Sequence, residues 1–294
     1  MKKALFFLCC AASLVFYGTA EAAADAKKTI VDTSFTYSTD SDGVTSRSMK
    51  ITDENAENPL SYTLYLTRLG QKYRPSIDEK TLVFKWVRPL KNEANLTIWG
   101  GYTKNDLRSF VPAALMYDQS ISDTHHAWYS IGRESIGTIP ANERNLFRSS
   151  VAASHMWRTS PGASLALEAN QWFYSDQNRE QKYVLSYTQK HSARFETVAS
   201  YAYHDAKFTQ PGIYWVPQQE HRLSITPKYD IPIGNGTLAL AWEQGLWARN
   251  KDGSIKSYKG TVSYRQGRFN AGVEYLHDGD YNSHLYRLDY QLLL

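Results

Sequence analysis

The stretch Asp40-Ser41-Asp42-Gly43 opens with the carboxylate spacing of a calcium loop. Such a loop closes with a bidentate glutamate downstream, and none stands at the required distance. Lying between two alternating runs, the segment reads as a hairpin turn. His125 and His126 are the next candidates. Neighbouring strand residues point to opposite faces, so these imidazoles cannot share one metal in regular geometry, and no metal site is expected. They read as solvated or interfacial. His155 shares a face with Ser149, Val151 and Ala153, the arrangement from which some membrane barrels build lipid hydrolases. Six residues of strand separate Ser149 from His155 by roughly 20 Å, too far for a hydrogen bond. A serine on a neighbouring strand, such as Ser130, is left as a partner, against the plainer reading of a rim histidine at headgroup level. No GxGxxG, Walker loop, GxSxG or zinc-protease helix motif occurs, so no catalytic residue and no cofactor are expected.

What would position any site is a chain of strands. Val31, Thr33, Phe35 and Tyr37 alternate with Asp32, Ser34 and Thr36, and the same period of two returns at Tyr62, Leu64 and Leu66 and at Leu82, Phe84 and Trp86. It continues through Leu165, Leu167 and Ala169, through Leu223, Ile225 and Tyr229, and through Tyr258, Gly260, Val262 and Tyr264. The chain ends on Tyr286, Leu288, Tyr290, Leu292 and Leu294 interleaved with Arg287, Asp289 and Gln291. Stretches of helical period are hard to find. These apolar faces lack Lys, Arg, Asp and Glu, as a lipid-facing surface requires, because a charge there costs roughly 2 to 4 kcal/mol at the bilayer midplane.

Composition agrees. Lys2 and Lys3 precede the apolar run Ala4 to Tyr17, and Ala20-Glu21-Ala22 supplies small residues for a signal peptidase, so residues 1–22 read as a secretory signal and 23–28 as a short periplasmic segment. Both cysteines, Cys9 and Cys10, lie in that run, leaving no thiol for a disulfide or metal in residues 23–294. No other apolar run approaches the ~20 residues of a membrane helix. Aromatic residues make up 14% of the chain, 21 of them tyrosine, and Tyr and Trp suit membrane interfaces. The basic residues are scattered singly, which argues against nucleic acid as a partner.

About sixteen strands are expected between residues 29 and 294. Their links fall into two classes. Asn55–Asn58, Lys91–Asn92, Ser122–Asp123, Ser160–Gly162 and Gln266–Gly267 are tight; Gln71–Asp78, Asn105–Val111, Ser135–Asn145 and His204–Gln218 are long, with Asp40–Gly43 breaking the trend. Short turns at one rim and long loops at the other predict an all-β fold, a transmembrane antiparallel up-and-down β-barrel in an outer membrane. An even strand count lets the chain stop in mid-strand, because the first strand covers the last. Such barrels often end on Phe or Trp as an assembly signal; here Leu294 stands in that outward register.

At Trp128–Ser135 (WYSIGRES), Gly212–Leu223 (GIYWVPQQEHRL) and Gly272–Leu293, and at the first hairpin Thr36–Ser48, the chain resembles the YaiO-type outer-membrane barrels and the C-terminal barrels of exopolysaccharide export porins, such as the export porin of cellulose synthase. The resemblance implies a barrel of about sixteen strands and, through it, polymer export. Those porins carry helical repeats before the barrel. No repeat of helical period is present here, so a scaffold that gathers a polymer would be a separate periplasmic protein.

With the faces so assigned, the lumen carries Lys50, Lys85, Arg222, Lys228, Lys259, Arg265 and Arg287 against Asp32, Glu168, Glu196, Glu243, Glu274 and Asp289. The signs nearly balance, which suits a neutral or weakly charged solute, or a lumen closed by salt bridges. The longest loop holds Phe208, Tyr214 and Trp215, stiffened by Pro211 and Pro217; these rings could stack on a saccharide at a channel mouth, or pack down as a lid. Two function classes follow: a porin-like channel for a polysaccharide or other uncharged solute, or a non-conducting barrel serving as scaffold, membrane anchor or surface receptor. A third reading, a lipid-modifying outer-membrane enzyme, has no serine marked out for it. Expected partners are outer-membrane lipid and the barrel-assembly machinery.

Overall fold

The computed structural model describes residues 29–293 apart from 56–58, 211–212, 215 and 251. The expected signal and periplasmic segments and Leu294 lie outside the described residues. In chain order the strands are β1 (Thr29–Asp40), β2 (Val44–Asn55), β3 (Leu60–Gln71), β4 (Arg74–Pro89), β5 (Ala94–Asn105), β6 (Ser109–Phe110), β7 (Ala113–Ser122), β8 (His125–Ser135), β9 (Phe147–Ser160), β10 (Ala163–Tyr174), β11 (Arg179–Lys190), β12 (Phe195–Ala206), β13 (Glu220–Ile233), β14 (Gly236–Asn250), β15 (Gly253–Ser254), β16 (Ser257–Gln266), β17 (Phe269–Asp278) and β18 (Tyr281–Leu293). A single short helix, α1 (Ile139–Glu143), is described between β8 and β9. The two-residue segments β6 and β15 are rim extensions; the rest form a closed antiparallel barrel of sixteen strands. Closure is made by β1, which pairs with both β2 and β18.

Each direct pair across the ladder shares a face, so the register carries one surface around the ring. Leu288 stands opposite Phe35 and Ala271, and Val273 opposite both Val262 and Tyr286. This surface exposes Phe84 (49%), Ile131 (56%) and Val273 (43%), as a lipid-facing surface does. Aromatic contacts form a girdle along each rim of it. At the end carrying the longer loops, Tyr203 meets His221 (ring centroids 4.9 Å) and Tyr258 meets His277 (4.6 Å). At the other end His125 meets Trp157 (5.1 Å) and His191 meets Phe195 (5.0 Å). Amphipathic rings at two levels mark the two membrane interfaces.

The opposite face is the interior. Arg222 on β13 bonds Asp278 on β17, a pairing that skips two strands and is reachable only across the concave side. Hydroxyl pairs line this wall: Thr52 with Thr63 (3.0 Å), Thr81 with Thr103 (2.8 Å), and Ser200 with Ser224 (2.8 Å).

Three sequence expectations change. Gln71–Asp78 is not a long loop. β4 begins at Arg74, the turn is Lys72-Tyr73 with Tyr73 at φ 64, and an irregularity between Leu69 and Gln71 accommodates the segment containing Pro75. Pro75 has no N–H to donate, which is tolerated beyond the membrane because water can serve the partner carbonyl. The outward face is also not charge-free to its ends: Arg47 and Arg68 pair directly, as do Lys80 and Lys104, in the register of Phe35 and Leu82. Hydrocarbon excludes charge only within its own thickness. Ser130, offered as a partner for His155, lies on the inner face opposite Ala152, whereas His155 is outward. His155 instead bonds Tyr129 (2.9 Å) and His125 (3.0 Å). The Asp40–Gly43 segment is a hairpin turn, with Asp40 accepting from the Val44 N–H (2.8 Å) and Gly43 at φ 73.

The alternation of β18 yields a direct test. Leu288→Arg should destabilise the barrel by about 2–4 kcal/mol, because hydrocarbon offers the cation no partner. Asp289→Asn, facing the wet interior between Arg287 and Asn270, should cost several times less. Denaturant titration in liposomes reads both, and equal midpoints would contradict the face assignment.

Candidate functional site

In the ladder register the charged residues expected to line the lumen share one face, opposite to that of Phe35, Ile131 and Val273. Ser34 stands opposite Lys50 and Asp289, Asp32 opposite Thr52, Lys85 opposite Trp99, and Glu168 opposite Ser154 and Val184. Glu196 faces Lys228, Glu243 faces Lys259, Arg265 faces Asn270, and Arg287 faces Gly272. Position on alternate residues fixes the face; ion pairing then neutralises part of it. Lys228 binds Glu196 at 3.0 Å, Lys259 binds Glu274 at 2.8 Å, and Arg287 binds Asp289 at 2.8 Å. Arg222 is held between Glu220 (2.7 Å) and Asp278. Among the described residues the wall therefore offers ion pairs and hydroxyls, with no ladder of one sign.

Two loops fold inward over one end. The 136–146 segment carries α1, whose start is set by Thr138: its hydroxyl accepts the Ala141 N–H (3.3 Å) and Pro140 occupies the first turn. Asn142 is almost fully buried (1%), which a polar amide tolerates only with its bonds made. Its Oδ1 accepts from Arg108 Nε (2.7 Å) and Asn105 Nδ2 (2.9 Å), and its Nδ2 donates to the carbonyls of Thr138 (2.8 Å) and Ile136 (3.2 Å). Arg108 also donates to Leu146 O (2.6 Å); burial lowers its pKa, opposed by the Glu79 carboxylate. Ile139 packs on Leu69 and Ile77, on β3 and β4, and Arg74 clasps Glu143 (2.7 Å). The segment leaves the barrel between β8 and β9 and is anchored four strands away.

The 207–219 loop completes the cover. Tyr214 lies flat on Tyr174 (4.8 Å, 10°), its hydroxyl donating to Asp176 (2.6 Å) and accepting from Asn178 Nδ2 (3.1 Å). Burial first, then the Asp176 bond, raises its phenol pKa and keeps it a donor. Thr138 donates to Ile213 O (2.5 Å), joining the two loops. Beneath them Ile136, Ala141, Tyr174, Ala206, Ile213, Tyr214 and Val216 form one buried apolar cluster. Tyr214 is thus spent within the cover and is no free stacking platform; an apolar ring with a buried cluster beside it gains more by packing than by facing water. Phe208 is half-buried and clamped through its backbone to Asn178 (2.8 and 3.2 Å). Trp215 lies outside the described residues.

Sequence reasoning missed α1, Asn142 and Arg108. The signal that could have found the helix is Thr138 with Pro140 two residues on, a start signature too short to show helical periodicity.

No protein-family model matches the chain, and no curated protein matches it. Solved structures do match. One described as a bacterial polysaccharide outer membrane secretin superposes with TM-score 0.69 at 12% identity, over 90% of this chain and 98% of that one. CdiB from Acinetobacter baumannii gives 0.58 at 11% identity over 91% of this chain, which spans 60% of CdiB. Pseudomonas aeruginosa OccK8 (OprE) gives 0.50 at 10% identity, over 92% and 98%. What the chain shares with these structures is the fold, a closed, porin-like antiparallel β-barrel.

The cover rests on Asn142. Asn142→Ala strips two carbonyls and two donors of their partner, at a cost of roughly 1–3 kcal/mol per unsatisfied group. Cleavage within 136–146 by added protease should accelerate at least about tenfold while the barrel keeps its gel mobility. Unchanged cleavage would mean that the loop is held by other contacts.

Proposed function

We propose that this barrel is an outer-membrane channel for a polysaccharide or another uncharged, hydroxyl-rich solute. The observation that carries the reading is the inner wall, where Lys228–Glu196, Lys259–Glu274 and Arg287–Asp289 form ion pairs and serine and threonine hydroxyls bond one another. Such a wall concentrates neither ion sign and offers hydrogen bonds that sugar hydroxyls exchange readily. The similarity to a polysaccharide outer-membrane secretin and the resemblance to exopolysaccharide export barrels support the solute class. Insertion after secretory export, assembly by the barrel machinery and a separate periplasmic scaffold belong to the same proposal. The infolded loops make the channel gated, opening when the contacts of Tyr214 and Asn142 are released.

The loops favour one rival, a barrel that does not conduct and serves as scaffold, anchor or receptor. Planar-bilayer recording separates the two. Wild-type protein should open rarely, and deletion of residues 208–217 should give frequent steps that discriminate K⁺ from Cl⁻ by less than about threefold and are blocked by a neutral glucan oligosaccharide. No conductance from either form would put the scaffold reading ahead; steep ion selectivity would overturn the solute class.

A further inference from the structure

At the rim that carries the longer loops, the outward face of β2 to β5 concentrates positive charge. Arg47 stands directly opposite Arg68, and Lys80 directly opposite Lys104. Like charges in direct cross-strand register repel and destabilise a sheet. Here the repulsion is scarcely relieved. Among the described residues only Asp78 ion-pairs with this quartet, touching Arg68 at 3.8 Å with both side chains largely exposed. Arg47 leans over the Tyr37 ring (5.6 Å). Elsewhere on the same rim the outward Arg133 is committed, lying 3.9 Å over the Phe147 ring. The quartet is therefore a standing excess of cation on a membrane-facing wall.

Its surroundings say what would neutralise it. Arg47, Arg68 and Lys80 border a groove of ≈ 340 Å³ that Phe35, Met49 and Leu66 line together with Asp78 and Glu79. Cations over an apolar trough match a molecule with an anionic head and acyl chains. Four adjacent strands spread the charges across roughly 14 Å, and guanidinium forks bind phosphate oxygens bidentately. We propose that the outward face of β2–β5 is a binding site for the phosphorylated headgroup of an outer-leaflet glycolipid, with acyl chain lying over Phe35, Met49 and Leu66. The proposal rests on the outer-membrane reading above, with the long loops on the outer side. Bound phosphate removes the repulsion between the paired cations, so the lipid fastens this quarter of the wall.

The test uses the refolded barrel in neutral detergent. Bisphosphorylated lipid A, its dephosphorylated form and inorganic phosphate are titrated separately while the temperature at which gel mobility shifts on heating is recorded. Wild-type protein should respond to bisphosphorylated lipid A, little to the dephosphorylated form, and to phosphate alone only weakly. R47Q/R68Q/K80Q/K104Q should need at least tenfold more lipid A for the same shift, whereas Arg88→Gln, at the opposite rim, should behave as wild type. If the fourfold variant does not refold, Lys80→Gln/Lys104→Gln serves, with a smaller loss. Equal lipid A responses in wild type and variant, or equal responses to both lipid forms, would overturn the site; an equal response to phosphate alone would reassign it to free anion. A protein with no heat-dependent mobility at all would instead indict the barrel reading, so the two failures are distinguishable.

Discussion

Hydrocarbon offers no partner to a backbone N–H or C=O, so a sheet that enters a membrane must have no edge. In this chain that requirement falls on the seam between β1 and β18, which pair from Ile30↔Leu293 to Asp40↔Ser283. Once the seam closes, the other features follow. The ring fixes which alternate residue faces lipid, and a slip of one position would turn the whole of β18 inside out. Leu288 would then enter the wet interior and Asp289 the lipid.

Closure also creates a concave inner surface on which several charges meet a partner of opposite sign. Lys259–Glu274 and Lys228–Glu196 join neighbouring strands directly, and Arg222 reaches two strands further to Asp278. At one end of the ring, two loops pack over the strands. The 136–146 segment uses one buried amide, Asn142, as a four-way junction, and Tyr214 anchors the second loop through a flat ring contact and a donated hydrogen bond. In wall and cover alike most buried polar groups are bonded, but among the described residues Asp32 Oδ1, Arg108 Nη2, Arg222 Nε and Asp278 Oδ1 are buried without a hydrogen-bond partner.

The legible part of this architecture was whatever repeats with period two. Charges at Lys50, Glu168, Glu274 and Arg287 could be placed on a face from alternation alone, since a strand leaves them one of two sides. The turn at Gly43 was legible because few residues but glycine and asparagine accept its φ of 73. What escaped has no period. The fold of 136–146 depends on residues from β3, β4 and β5 brought near only by closure, and nothing local to Asn142 announces Arg108 as its partner. The start of β4 at Arg74 escaped because strict alternation is lost near the irregularity between Leu69 and Gln71. The outward cations Arg47 and Lys104 were hidden because alternation says which face a residue takes but not at what height.

The seam is the claim on which all this stands. The Ser41 N–H donates to Asn282 O (2.8 Å), so outward positions of β1 and β18 form the hydrogen-bonded pairs and inward ones the closer, non-bonded pairs that suit a disulfide. With Cys9 and Cys10 lying upstream, a chain refolded from residue 23 contains no other thiol. Thr36→Cys combined with Arg287→Cys, directly opposed across the seam, should oxidise to an intramolecular disulfide in folded protein, seen as a reducible change in denatured gel mobility. Ser34→Cys with Leu285→Cys, displaced by four residues, should not. Crosslinking of the displaced pair in preference to the opposed one would contradict the closed register.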